Sequence, residues 1–136
     1  MSIASEILSA TGELVSRLSG LSFGDPVSHV YNPLEYGRAS HKQYVERFGD
    51  STKRVLMMGM NPGPWGMAQT GVPFGEISAV RDWMGISAEV GKPEPEHPKR
   101  PIVGFACEKS EVSGRRLWGL FSEKCPDAAD FFAEHY

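Results

Sequence analysis

Val55-Leu56-Met57-Met58-Gly59-Met60, running into Asn61-Pro62-Gly63-Pro64-Trp65-Gly66-Met67-Ala68-Gln69-Thr70-Gly71-Val72-Pro73-Phe74-Gly75, is the stretch on which the reading of this chain turns. Its first part is an unbroken apolar run of strand length, the pattern of a strand buried on both faces in a parallel sheet. At Asn61 the character changes. Five of the chain's 15 glycines and three of its 10 prolines fall between Gly59 and Gly75, more turn chemistry than a simple strand-to-helix connection needs. In open α/β sheets, ligands bind beyond the carboxyl ends of the strands, where Asn61 would stand. Pro62 and Pro64 fix φ, and Gly63 and Gly66 let backbone come close to a ligand. The polar side chains there are Asn61, Gln69 and Thr70, set among Met60, Trp65, Met67 and Phe74. That mixture suits a flat, mostly apolar ligand with a polar edge, such as a nucleobase.

Outward from this loop, residues 3 to 19 place Ile3, Ile7, Leu8, Leu14, Val15 and Leu18 near helical spacing, with Gly20 as a stop. This predicts an amphipathic packing helix. Ser28-His29-Val30-Tyr31 reads as a short strand broken by Asn32-Pro33, with His29 an incidental histidine and Tyr36 either a groove or a core residue. Residues 40 to 48 read as a short helix with Tyr44, Val45 and Phe48 on one side.

Beyond the loop, residues 76 to 84 predict a helix ending at Gly85. A long loop, residues 86 to 101, follows and closes on His97-Pro98-Lys99-Arg100-Pro101. Lys99 and Arg100 are held extended between prolines, which fits either a solvated turn or a contact to phosphate. Ile102 to Ala106 reads as another strand. Ser113 is placed to cap a helix over 114 to 121, with Arg115 and Arg116 in its first turn, where the helix dipole disfavours cations. An anion met by Ser113, the Gly114 N–H and Arg115 would explain that placement; arginines simply exposed beside Glu108 and Glu111 would explain it equally. Pro126 opens a last helix that buries Phe131 and Phe132.

With 136 residues the chain holds one domain's worth of sequence, and 40% apolar and 23% charged residues are ordinary for a globular protein. The formal charge of -3 argues against a protein that coats DNA indiscriminately, while leaving room for a local basic strip. Cys107 and Cys125 offer neither a disulfide framework nor a metal-ligand spacing, so they read as free thiols in a reducing compartment. No run approaches membrane-spanning length and the first residues lack a basic secretory start. These features predict a soluble, intracellular protein.

The stretch from Gly59 to Gly75 closely resembles the signature of the single-strand-selective monofunctional uracil-DNA glycosylases, within the uracil-DNA glycosylase superfamily. The resemblance extends through Tyr31-Asn32-Pro33-Leu34-Glu35-Tyr36, Val80-Arg81-Asp82-Trp83, His97 to Pro101 and Ser110-Glu111-Val112-Ser113-Gly114-Arg115, and so covers nearly the whole chain. Trp65 stands where the family would have Phe. The resemblance implies a three-layer α/β/α fold around a mostly parallel central sheet. It also implies hydrolysis of the N-glycosidic bond of uracil, or of a C5-modified uracil such as 5-hydroxymethyluracil, flipped out of DNA.

On this resemblance Asn61 positions the attacking water as the catalytic residue, Phe74 stacks on the base, and the Met60 backbone donates to it. Met67 completes the pocket, and Gly63 keeps the space beside C5 open. Lys99, Arg100, Ser113, Gly114 and Arg115 would contact DNA phosphates. No lysine lies in the signature to form a Schiff base with the sugar, so the reaction would have no lyase step. Two cysteines are too few for the iron–sulfur cluster of some other uracil-DNA glycosylases, and neither metal nor other cofactor is expected. The partner would be uracil-containing DNA, single- or double-stranded, met in the nucleoid or cytoplasm of a bacterium or the nucleus of a eukaryote.

About three strands are too few for a doubly wound sheet, and the asparagine that reads the uracil edge and the His-Pro-Ser motif of the family are absent. Residues 1–136 therefore read as the N-terminal part of one such domain, with the fold incomplete and the rest truncated or supplied by a separate C-terminal half. The alternative is a catalytically incomplete fragment that binds uracil or nucleic acid. Dinucleotide, triphosphate and zinc-deaminase enzymes are excluded by the lack of their motifs.

Overall fold

The computed structural model describes residues 1–134. Its helices are α1 (Ile3–Leu18), α2 (Pro33–Tyr36), α3 (Arg38–Phe48), α4 (Met67–Thr70), α5 (Val112–Lys124) and α6 (Ala128–Glu134), with a π-helical turn at Ala79–Trp83 and a 3-10 turn at Gly104–Ala106. No strand occurs among the described residues, which overturns the expected three-layer α/β/α arrangement with its parallel sheet. The physical reason is that a strand exists only through the N–H···O=C ladder of a neighbour, and among the described residues none of the three apolar runs makes a backbone hydrogen bond to another. Residues 55 to 60 have no regular backbone pairing: Leu56, Met58 and Met60 are 86%, 85% and 98% exposed, while Met57 packs against the core. Ser28 to Tyr31 is likewise irregular, and after the buried Ile102 the third run folds into the 3-10 turn.

The helices follow from local chemistry. α1 starts where the Ser2 hydroxyl accepts the Ser5 N–H, with Glu6 and Arg17 matched to the two ends of its dipole. It is anchored where the Ala4 N–H donates to Asp50 Oδ1 at 2.9 Å. Its apolar stripe is less covered than the packing helix expected: Ala4 is buried, but Ile3, Ile7, Leu14 and Leu18 remain exposed. Asn32 caps α2 and Pro33 takes its first position, and α3 buries Val45 and Phe48 as the spacing requires. The segment after Glu76 is helical but widens, with Met84 N–H reaching back five residues to Ala79 O, and it stops at Gly85, whose φ of 68° suits glycine.

The core sits where α3, the π-helical turn, α5 and α6 meet. Trp118, 1% exposed, touches Trp83, Phe131 and Phe132, and Phe132 stacks on Phe48 with ring centroids 4.5 Å apart. Both indoles with polar handles in this cluster are satisfied: Trp118 Nε1 donates to Phe74 O at 2.8 Å and Trp83 Nε1 to Cys125 O at 3.1 Å. The first of these ties the core directly to the glycine-rich loop.

On the other side of that loop, α3 presents the buried His41. Its Nδ1 lies 3.2 Å from Gly71 O and so carries the ring proton, while Nε2 is buried with no partner. Burial lowers the His41 pKa below its usual value, and the Gly71 carbonyl opposes this more weakly. The unfolded chain therefore binds the proton first. Stability is fully present above pH ~6.5, the unperturbed value, and falls as the solution is acidified through that range. Urea midpoints measured from pH 7.5 down to pH 5 are expected to decline, and to decline less in His41→Gln.

Candidate functional site

Between Asn61 and Gly75 the chain forms a compact corner built on α4, and Gln69 is its centre. The side chain is 1% exposed and its amide is fully used. Nε2 donates to Pro64 O and Pro101 O at 3.2 and 3.3 Å; Oε1 accepts the N–H groups of Val103 and Gly104 at 2.9 and 3.2 Å. One amide thus fastens the glycine-rich loop to the segment that follows the His97–Pro101 turn. Next to it the buried Thr70 hydroxyl lies between Gly66 O and Gly75 O, at 3.2 and 2.9 Å, and accepts Val72 N–H. Gly71 closes α4 at φ 75°, so close to Gly37 that a side chain there would strike the Gly37 carbonyl.

Phe74 leaves this corner in the left-handed region, at φ 51°, the one described non-glycine residue with positive φ. For a bulky side chain that conformation costs of order 1–3 kcal/mol and persists only when the surroundings over-determine it. They do so here. Phe74 O accepts both Trp118 Nε1 and Glu76 N–H at 2.8 Å, Gly114 of α5 packs its backbone against Phe74 O, and the ring meets Trp118 edge-on at 6.4 Å.

The ring opens onto a cavity of about 540 Å³ that is also lined by Met60, Asn61, Gly63, Met67 and Ser113. Every residue expected from sequence to hold or cleave the base is therefore brought together. Asn61 Nδ2 donates to Pro62 O at 3.2 Å, which leaves Oδ1 as a free acceptor. The phosphate-binding candidates are more scattered. Arg100 borders a different cavity, Lys99 is exposed on the same turn, and Arg115 is exposed on α5. Gly114 is buried and crowded by Phe74. Ser113 does not cap the helix: α5 begins two residues earlier than its expected start, with Glu111 in the N-cap position.

Glu111 is the residue that sequence reasoning missed. Its Oε2 accepts Trp65 N–H at 3.2 Å, and its side chain occupies the room that Gly63 and Gly66 leave, so a Cβ on either glycine would run into it. The space beside Gly63 thus contains a carboxylate arm. The arm is placed from behind: Ser110, next in the chain, donates to Glu76 Oε1 at 2.9 Å, and Glu76 itself is buried. No local signal in the sequence marks a contact across 46 residues. Lys109 adds a further clamp, its Nζ 4.1 Å from the centre of the Trp65 ring.

The His97–Arg100 turn is pinned as firmly. Tyr31 Oη accepts His97 N–H at 2.7 Å and donates to Arg100 O at 2.9 Å, and Arg100 N–H closes the turn on His97 O. Ile102 N–H donates to Glu96 Oε2 at 3.0 Å, the main reason that carboxyl lies below its ordinary pKa, with Lys92 nearby adding to the effect. No group of three or more potential metal ligands gathers among the described residues, and no described helix is long and apolar enough to cross a membrane.

The chain is similar to uracil-DNA glycosylases. It is 50% identical over 131 residues, 96% of its length, to the single-strand selective monofunctional uracil-DNA glycosylase of Rattus norvegicus, and to the same extent to those of Mus musculus and Bos taurus. The match takes in 47% of the rat and mouse proteins and 48% of the bovine one, so the chain spans about half the length of the curated relatives it matches. No protein-family model matches it.

The geometry makes Gln69 the support of the site. Gln69→Leu keeps the volume but removes the partner of two part-buried carbonyl bonds and of two N–H groups, and is expected to cost about 2–3 kcal/mol in urea denaturation. Gln69→Glu should be destabilising as well, because a carboxylate cannot donate to Pro64 and Pro101.

Proposed function

We propose that this chain is the N-terminal part of a uracil-DNA glycosylase domain, which excises uracil from DNA by hydrolysis without a lyase step. The observation that carries the reading is Phe74. A ring held at φ 51° against its backbone preference, facing a cavity with Asn61, Gly63 and Met67, is the arrangement a flat heterocycle needs. The names of the half-matched relatives supply the reaction class.

In the mechanism the N1–C1′ bond breaks and its electron pair leaves with the base, so positive charge develops on the sugar and negative charge on uracil. Asn61 Oδ1, the free acceptor, holds a water by one of its hydrogens and turns its oxygen toward C1′. The new C–O bond forms there and the water's proton is released to solvent, while the departing base takes up a proton in turn. An uncharged amide cannot act as a strong base; for a bond that breaks ahead of attack, position is what counts. The Met60 N–H donates to the base and the Phe74 ring lies on its face. Selectivity belongs to the Gly63 notch: C5-substituted uracils enter to the extent that the Glu111 arm leaves room.

Lys99, Arg100, Ser113 and Arg115 are the proposed contacts to phosphates of single- or double-stranded DNA, with the buried Gly114 contributing only backbone. Action on DNA puts the protein inside the cell, in the nucleoid or the nucleus. The remainder of the domain would lie in the same polypeptide or in a separate one. That the chain spans about half the length of the relatives it matches favours the second reading, a fragment that binds uracil-containing DNA without cleaving it.

Release of free uracil from a single-stranded oligonucleotide decides between the two readings, since binding without release would support the second. If the chain is active, Asn61→Ala is expected to lower the rate by about 100-fold or more with little change in DNA affinity, and Phe74→Ala to weaken uracil-specific binding by about 1–3 kcal/mol. Glu111→Ala should raise the rate on 5-hydroxymethyluracil relative to uracil, read as the ratio of kcat/KM values; an unchanged ratio would mean the carboxylate arm does not set selectivity.

A further inference from the structure

The Asn61–Pro64 ridge has a cavity on each side. Beyond the one that holds Phe74 lies a second, of about 430 Å³, whose wall includes His29, Tyr31, Trp65, His97 and Arg100. The two cavities share Asn61, Pro62 and Pro64. Resting on the function proposed above, we infer that the second cavity is a nucleotide subsite: it takes the neighbour, in the same strand, of the residue whose base enters the Phe74 cavity.

The lining states the ligand chemistry. Two imidazoles, a phenol and an indole give flat faces on which any base can stack. The His29 and His97 rings meet edge to face with centroids 4.7 Å apart, so one broad side of each remains for a third ring. Lys99 N–H donates to His97 Nδ1 at 3.0 Å; that nitrogen is therefore unprotonated and the ring carries its proton on Nε2, a donor for a base edge or phosphate. Arg100 is the one formal cation of the lining, which contains no carboxylate. Its guanidinium donates to Lys99 O and keeps its other N–H groups for a phosphate. The volume lies within the range of small-ligand sites.

The position states the relation to the first cavity. Consecutive bases of an unstacked strand must part to either side of whatever separates them, and here the separation is the ridge that carries Asn61. The ridge cannot yield, because Gln69 holds Pro64 O on one wall and Pro101 O on the other. Tyr31, bonded to the His97 N–H and the Arg100 carbonyl, fixes the backbone of the turn from which both side chains enter the cavity wall. A neighbour seated there would draw the strand taut over Asn61 and set the sugar of the target residue.

The test is ¹H–¹³C NMR of the histidine rings of the whole chain during titration with deoxyadenosine 5′-monophosphate, with inorganic phosphate and deoxyadenosine as separate arms. Saturable shifts of the His29 and His97 signals with the nucleotide, little with phosphate, and a roughly tenfold weaker response in Arg100→Ala are expected. No shift, or phosphate alone reproducing the nucleotide's shifts, would overturn the subsite.

A second measurement links it to the target cavity. In anisotropy titrations, His29→Ala should lose roughly tenfold affinity for a uracil-containing single strand, and nothing when the nucleotide flanking the uracil is replaced by an abasic linker. Equal losses on both strands, or none, contradict the proposal. Should the NMR arm succeed while uracil is neither bound selectively nor released, the glycosylase reading fails and the nucleotide site stands; the reverse pattern removes the subsite alone.

Discussion

One buried amide holds the working end of this molecule together. Gln69 uses all four of its hydrogen-bonding positions on backbone groups, two of them the carbonyls of Pro64 in the ridge and Pro101 across the second cavity, and two of them successive N–H groups at the start of a 3-10 turn. Buried polar groups left unpaired are costly, so neither the glycine-rich loop nor the segment after Arg100 can shift without breaking several bonds at once. In chain order the two are more than thirty residues apart, and no stretch of regular structure joins them. The amide takes the place that a sheet would have in fixing loops relative to one another.

From that fixed corner the consequences run outward in both directions. Toward the core, Thr70 and Gly71 set the turn that delivers Phe74 in a left-handed conformation, and Trp118 confirms it by donating to the Phe74 carbonyl. Toward solvent, Pro62 and Pro64 stiffen the ridge, Glu111 fills the notch made by two glycines, and Asn61 is left at the crest with a free acceptor. The chemistry proposed for the site asks for little beyond this: a ring to lie on, a donor for the base, and one oriented water. Position, not an unusual pKa, is the contribution of the fold.

The sequence was informative wherever a local rule decides the outcome. The 3.6-residue spacing of Ile3, Ile7 and Leu14 marks a real helix and Gly85 a real stop, whereas Asn32-Pro33, read only as the break of a strand, proves to be the cap of α2. The glycine-rich loop does border a cavity, and the five residues to which the resemblance gives roles at the base line it together. Strands could not be read in the same way. Apolar character made Val55 to Met60 resemble a buried strand, but pairing depends on partners elsewhere, and among the described residues none is present. Contacts across long sequence separations were equally illegible: nothing near Glu111 announces that its carboxylate will meet Trp65, and nothing near Ser113 reveals that the helix starts at Val112. His29, read as incidental, sits against His97 only because Tyr31 holds the intervening turn.

The most direct test of the whole account is a crystal structure of the chain with a single-stranded oligonucleotide carrying 2′-fluoro-2′-deoxyuridine, which resists cleavage. The account predicts the uracil ring stacked on Phe74, the Asn61 amide oxygen within hydrogen-bond reach of a water beneath C1′, and the four Gln69 bonds intact. A uracil seated anywhere else, or a loop that abandons the Gln69 bonds to admit it, would contradict the claim that this corner is built in advance for a base.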